Sequence, residues 1–208
     1  MRINRLLLAL FLLLALLSGC RRAEEGTLLF RDRFGNENGG WGSESQSTFD
    51  RGYQRGEYFI EVYEPDWLAW ARPHERFTDV DIEVEAHQVA GSPDGHFGAL
   101  CRFRAPDDFY YFAVSDDGYY AIMRVENGEA EVLTGDGMLP SAAIQTGGAV
   151  NVIRAVCVGE RLTLYVNDEQ VASVTDDAFQ RGDVGLGVGA GPAGAIRVHF
   201  DNFTVAAP

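Results

Sequence analysis

The stretch Val80-Asp81-Ile82-Glu83-Val84-Glu85-Ala86 sets an apolar residue at every even position and an acid at every odd one. A period of two is that of a β-strand with one dry face and one wet face. Outward from it the same signal returns. Leu28–Phe34, Glu57–Tyr63 and Trp67–Ala71 precede it, the last two separated by a turn at Pro65-Asp66. His96–Arg104, Phe109–Ser115, Tyr119–Val125 and Ala130–Leu133 follow, with Asp116-Asp117-Gly118 and Glu126-Asn127-Gly128 as tight turns between them. Val150–Val158, Arg161–Val166, Val171–Val174, Asp183–Gly189 and Ile196–Val205 complete the series, after a Gly- and Ala-rich loop over 135–148.

No segment carries a sustained helical stripe; only Asp176 to Arg181 has the composition for one helical turn. Many short strands with short turns predict an all-β, antiparallel sandwich or barrel. No repeat and no shift of composition divides it.

The first residues read differently. Arg2 and Arg5 precede an unbroken apolar run, Leu6 to Leu17, then Ser18, Gly19 and Cys20. That is the layout of a secretory signal, and the run is too short to span a bilayer. Leu17-Ser18-Gly19-Cys20 also resembles the lipobox of bacterial lipoproteins, which implies a diacylglycerol thioether on Cys20, with an amide-linked acyl chain such as palmitate on its amine in many bacteria. The expected organisation is a signal peptide over 1–19, a lipidated cysteine and tether over 20–27, and a β-domain over 28–206. The product would be exported and lipid-anchored to the cell membrane, facing outside the cytoplasm. Two or more acyl chains anchor stably where one is marginal.

Of the 17 basic residues two lie in the leader, so the remainder carries 15 against 31 acids, a formal charge of −16. Such a surface repels nucleic acid, which is excluded as a partner. Every basic residue is Arg, which removes lysine chemistry outright. With Cys20 assigned to lipid, Cys101 and Cys157 remain as an even pair in an oxidising compartment. A disulfide is expected, with two buried free thiols as the alternative.

Beyond these patterns the chain is similar to a known group. Asp32-Arg33-Phe34 followed by Trp41, Gly98 to Arg102, Asp108 to Ser115, Asn151 to Gly159, Leu162 to Asn167, Gly182 to Leu186 and Phe200 to Phe203 together resemble concanavalin A-like lectin/glucanase domains. The nearest branch is laminin-G-like and 3-keto-disaccharide hydrolase-like. The resemblance implies a jelly roll of two antiparallel sheets, one of them concave. Asn167-Asp168 stands where the family has Asn-Gly, and a longer loop is expected to absorb the difference. Asp201-Asn202 breaks the alternation between Phe200 and Phe203, which predicts a bulge near a sheet edge.

Three candidate sites arise. The row Asp81, Glu83 and Glu85, preceded by Asp79, puts carboxylates on one strand face, and glycosidases work with paired carboxyls. It resembles the Glu-x-Asp-x-Glu signature of laminarinase-type glucanases, with Asp and Glu exchanged at its first two positions. The alternative is a solvated outer face. The second set is aromatic and basic: Trp70, Arg102, Arg104, Tyr110, Tyr120 and Arg124, within a wider group including Trp67, Tyr111 and Tyr119. Rings stack on sugars while Arg and Tyr hydrogen-bond them. If Cys101 faces the core, parity turns Arg102, Arg104 and His96 the other way. The alternative is ordinary packing. The third is calcium at Asp32 and Asp201, which the family implies by a structural ion between first and last strands; here the alternative is two aspartates making turn hydrogen bonds. The four histidines show no metal-ligand spacing, and Gly185 to Gly191 has no following helix to form a phosphate loop.

The expected role is a membrane-anchored domain binding glycan on its concave sheet, without covalent chemistry. The alternatives are a glycoside hydrolase or 3-keto-glycoside lyase/hydrolase, as the resemblance implies, and a structural envelope domain without a small ligand. The leader yields a direct test. Cys20→Ser releases the domain from membranes or leaves an uncleaved precursor, seen by fractionation and mass spectrometry; a processed species still on the membrane contradicts the lipid assignment.

Overall fold

A computed structural model describes residues 26–208; the leader, Cys20 and the start of the tether lie outside them. Seventeen strands run through the described residues. They are β1 (Leu28–Asp32), β2 (Glu44–Ser45), β3 (Phe49–Gln54), β4 (Glu57–Val62), β5 (Leu68–Ala71), β6 (Arg76–Phe77), β7 (Val80–Gly91), β8 (His96–Ala105) and β9 (Asp108–Ser115). After them come β10 (Tyr119–Glu126), β11 (Glu129–Val132), β12 (Leu139–Pro140), β13 (Asn151–Val158), β14 (Arg161–Val166), β15 (Glu169–Thr175), β16 (Gly182–Gly189) and β17 (Ile196–Ala206).

Two antiparallel sheets result. The first has the order β15-β14-β13-β7-β17-β4-β3-β2, with β1 also on β17; the second has β11-β10-β9-β8-β16-β5, with β12 on β10 and β6 on β16. The core between them comes from the alternation seen in the sequence: Ile60, Ile82, Val84, Ile153, Leu164 and Phe200 from the first sheet meet Phe97, Phe112, Ile122, Leu186 and Val188 from the second. The nine-in-one-sheet arrangement explains why β7 alternates so cleanly. It is central, flanked by β13 and β17, with one face on the core and one in water.

Cys101 of β8 and Cys157 of β13 form a disulfide that ties the sheets together through the core. Four strands were not legible. Among them β3, Phe49-Asp-Arg-Gly-Tyr-Gln, is too polar and glycine-interrupted to show a period, though Phe49, Arg51 and Tyr53 do face inward opposite Val62, Ile60 and Tyr58.

Three expectations need correction. Asp176 to Arg181 forms no helical turn; it is an irregular crossing whose Phe179 enters the core. The Asn167-Asp168 connection is a tight two-residue turn rather than a longer loop, with φ of 49° and 68°. It is held by Asn167, whose Nδ2 donates to Ala143 O and Asn151 Oδ1 at 2.8 Å. Asp201-Asn202 is a bulge as expected, but not at an edge. It sits in the middle of the first sheet, where β17 leaves β4 (196–200) and takes β1 (203–206) as its neighbour.

The disulfide closes a separation of 56 residues, worth about 4 kcal/mol by the loop-entropy relation. Denatured, unreduced protein should therefore resist alkylation at both cysteines. Reduction should lower the stability measured by urea unfolding by about that amount. Prompt labelling of both thiols before reduction contradicts the bridge.

Candidate functional site

The second sheet has an unusual outer face. On β16, Val184, Leu186 and Val188 point into the core, so Gly185, Gly187 and Gly189 hold the outer side. The missing side chains are filled by neighbours. A Cβ on Gly187 would lie 3.0 Å from the Tyr111 ring, and one on Gly189 would lie 2.1 Å from the His96 ring. A side chain at either position would have to displace the ring that lies over it. Leu100, Phe103, Phe109, Tyr111, Met123 and Val125 then build a second apolar layer over this floor.

Half of that layer is sealed. Phe103 and Phe109 stack with centroids 5.1 Å apart, Trp70 packs on both, and the Arg72 guanidinium lies 4.2 Å over Phe103. Asp183 holds Arg72 in place at 2.5 Å. The other half is open. There a cavity of about 350 Å³ is lined by Trp67, Leu68, Tyr111, Met123 and Val125, with Asp66, Asp94 and His96 as its polar groups. Trp67 is 45% exposed.

The polar chemistry of the cavity is specific. The Tyr111 hydroxyl meets the carbonyls of His96 and Gly187 at 3.1 and 3.3 Å and the His96 Nδ1 at 3.1 Å. Tyr111 has one proton for these three partners, and the direction of its bond with His96 Nδ1 follows the tautomer of the ring. Burial pushes the imidazole pKa down to about 4, only partly opposed by Asp94, so the ring is neutral at pH 7. Asp94 Oδ1 is buried and has no hydrogen-bond partner among the described residues. A buried acceptor in that state is costly.

The cavity also has a direction. Gly26 and Thr27 enter beside Ala207, at the end of the sandwich where β7 begins and β13 ends. His96, Gly189 and Leu68 lie at the opposite end of their strands. The cavity therefore lies at the end remote from Gly26 and Thr27, where the described residues begin.

The predicted aromatic and basic set does not gather on the outer face. Of its six residues only Trp70 reaches the outer face. Tyr110 and Tyr120 sit on the inner side of β9 and β10. Parity through β8 fails because a bulge follows Cys101, where Arg102 takes φ 54°. Arg102 and Arg104 swing inward and Phe103 takes the outer place. The Arg102 guanidinium is buried and donates to Phe179 O at 2.8 Å and Thr78 O at 3.3 Å, with Asp79 at 3.4 Å. Arg104 lies over the Phe179 ring. Arg124 pairs with Asp176 and Glu131 at 2.6 Å, and Tyr110 donates to Asp176 at 2.5 Å. Four of these residues, Arg102, Arg104, Tyr110 and Arg124, clamp the 176–181 crossing.

Asp81, Glu83 and Glu85 lie on the outer face of the first sheet, on the other side of the molecule from the cavity. Asp81 is held in a two-pronged pair by Arg154. Glu83 is raised above the usual carboxylate range by burial, against the pull of Arg154, with Asp81, Asp168 and Glu85 adding to the rise.

The calcium pair does not converge either. Asp32 faces inward, accepting from Phe34 N at 2.8 Å and Trp41 Nε1 at 3.0 Å, whereas Asp201 faces outward beside Glu85. No group of three or more metal-ligating side chains exists among the described residues.

No protein-family model matches the sequence, and no curated protein matches it. Solved structures do. A carbohydrate-binding module of the CBM66 type from Bacillus subtilis superposes with a TM-score of 0.57 at 18% identity, over 86% of this chain and 97% of that one. A Bacillus licheniformis β-glucanase gives 0.64 at 11% identity, over 88% and 99%. A Bacillus subtilis protein of unknown function with a galectin-like fold gives 0.63 at 10%, over 88% and 97%. The fold is a jelly roll. At these identities the likeness fixes the architecture and nothing finer.

Sequence reasoning had Trp67, Tyr111 and the outward turn of His96 within reach, but not Met123, Asp66 or Asp94. The signal for that face was present: glycine at every second position of 185–189 marks a strand face with no side chains of its own.

The His96 pKa sets a pH dependence. Its folded value of about 4 lies below the ordinary 6.5, so between these pH values the unfolded chain binds a proton that the folded chain does not. The stability from this group is complete above pH 6.5 and is lost as the pH falls toward 4, on the order of 3 kcal/mol. His96→Gln should flatten the stability profile across that window in denaturant titrations. An unchanged slope contradicts the assignment.

Proposed function

We propose that this chain is a lipid-anchored carbohydrate-binding domain that takes its ligand in the cavity on the outer face of the second sheet. The observation that carries the reading is an apolar cavity walled by the exposed ring of Trp67, with Asp66, Asp94 and His96 as its polar residues. Sugars present what such a cavity needs: an apolar ring face for Trp67 and hydroxyls, which both donate and accept, for the carboxylates and the imidazole. The fold neighbours include a carbohydrate-binding module and a β-glucanase, which supports the same class of ligand. The cavity opens at the end remote from the tether, which suits a domain displayed outward on a lipid at Cys20.

Binding rather than hydrolysis is favoured by where the acids are. The Asp81, Glu83 and Glu85 row lies across the molecule from the cavity, so no cleft joins it to the aromatic residues.

A glycan array probed with the full chain tests the reading. Trp67→Ala should weaken binding at least about tenfold, the loss of roughly 1.4 kcal/mol of stacking. Asp94→Ala should do the same, while Glu83→Gln leaves binding unchanged. Turnover of a glycoside that Glu83→Gln abolishes would instead establish an enzyme. Binding indifferent to both Trp67→Ala and Asp94→Ala contradicts the site.

A further inference from the structure

A second cavity, of about 240 Å³, lies on the other side of Trp67 and Leu68, around the edge strand β5. Those two residues line both cavities and form the wall between them. The far side of the second cavity is built by Phe49 and Arg51 of β3 and by Glu44 of β2. It therefore bridges the edges of the two sheets rather than lying on either face.

Arg51 repeats, with opposite sign, what Asp94 shows in the first cavity. Its Nη2 pairs with Glu44 Oε2 at 2.6 Å, but its Nε is buried and has no acceptor among the described residues. One cavity holds an orphaned acceptor and its neighbour an orphaned donor, with exposed Trp67 between them. Those two atoms are themselves closed to solvent, so what a ligand meets is the rest of the lining: carboxylates of Asp66 and Asp94 on one side of an apolar patch and the Arg51 guanidinium with Glu44 on the other. A chain of sugar hydroxyls, each a donor and an acceptor, suits both sides.

The charges narrow the class further. Arg51 is already neutralised by Glu44, His96 is uncharged at pH 7, and Asp66 and Asp94 leave the first cavity acidic. No unpaired cation among these lining residues would compensate a uronate or sulfate, and a net charge of −14 over the whole chain opposes one.

We infer that the two cavities are consecutive subsites for one uncharged oligosaccharide, which crosses the edge of the sandwich over Trp67 and meets Arg51 beyond it. This rests on the carbohydrate reading of the first cavity and adds length, path and charge to it.

Calorimetry on the full chain tests this with oligomers of increasing length from uncharged β-glucan, galactan and levan, beside alginate and polygalacturonate. The long neutral oligomer should bind about tenfold tighter than the disaccharide. Arg51→Ala and Arg51→Met, the latter keeping the apolar stem, should erase that gain and leave the disaccharide affinity unchanged. Thermal unfolding checks that both variants fold. Three results overturn the inference: a long-chain affinity untouched in both Arg51 variants, equal loss for short and long chains in variants that fold normally, or tighter binding of the polyuronates. The first two leave the carbohydrate reading standing. If the wild type binds none of the glycans, both fall together.

Discussion

Cys101 and Arg102 are adjacent in one strand, yet both side chains point into the sandwich. A regular strand forbids this, because successive residues face opposite sides. The bulge at Arg102 permits it, at the cost of a left-handed backbone conformation in a residue with a Cβ. Cys101 bonds to the first sheet through Cys157, and Arg102 bonds to the carbonyls of Thr78 and Phe179. A buried guanidinium without partners would be strongly destabilising, so its neighbours must stay where they are. Sheet spacing, the path of the 176–181 crossing and the outer position of Phe103 all depend on this two-residue step.

The consequence for the outer face is direct. Because Phe103 rather than an arginine arrives there, it stacks with Phe109 and receives Trp70 and Arg72. The end nearer Thr27 becomes a closed apolar layer, and the open volume lies at the far end, beside His96 and Trp67. A jelly roll supplies such a face without deciding its chemistry. Here the chemistry comes from the glycine row of β16, which lets Tyr111 and His96 sink toward the backbone.

The two outer faces have opposite characters. That of the first sheet carries the Asp81 to Glu85 row with Arg154, and further along it Arg197, whose Nε donates to His199 Nε2 while His199 Nδ1 pairs with Glu57. These groups answer one another and keep the sheet polar toward water. That of the second sheet is apolar, with few polar groups, and it holds the cavity beside Trp67, Asp94 and His96.

The sequence by itself determined the architecture. Alternation in Val80–Ala86 and its repeats set strands and their buried sides, Asp-Gly and Asn-Gly turns set the hairpins, and the even pair Cys101 and Cys157 pointed to the bridge that the structure shows. Each is a local or countable property, which a linear sequence carries in full. The outer face of the second sheet was different. Parity placed His96 outward correctly, but one inserted residue after Cys101 reversed it for Arg102 and Arg104, and nothing in Gly98-Ala-Leu-Cys-Arg-Phe-Arg104 announces a bulge. The cavity joins residues from β5, β8, β9, β10 and the turn after β16, and its orphaned oxygen on Asp94 is a property of what lies around it. Only the tertiary structure could decide these, because whether a polar atom is satisfied depends on atoms far away in the chain.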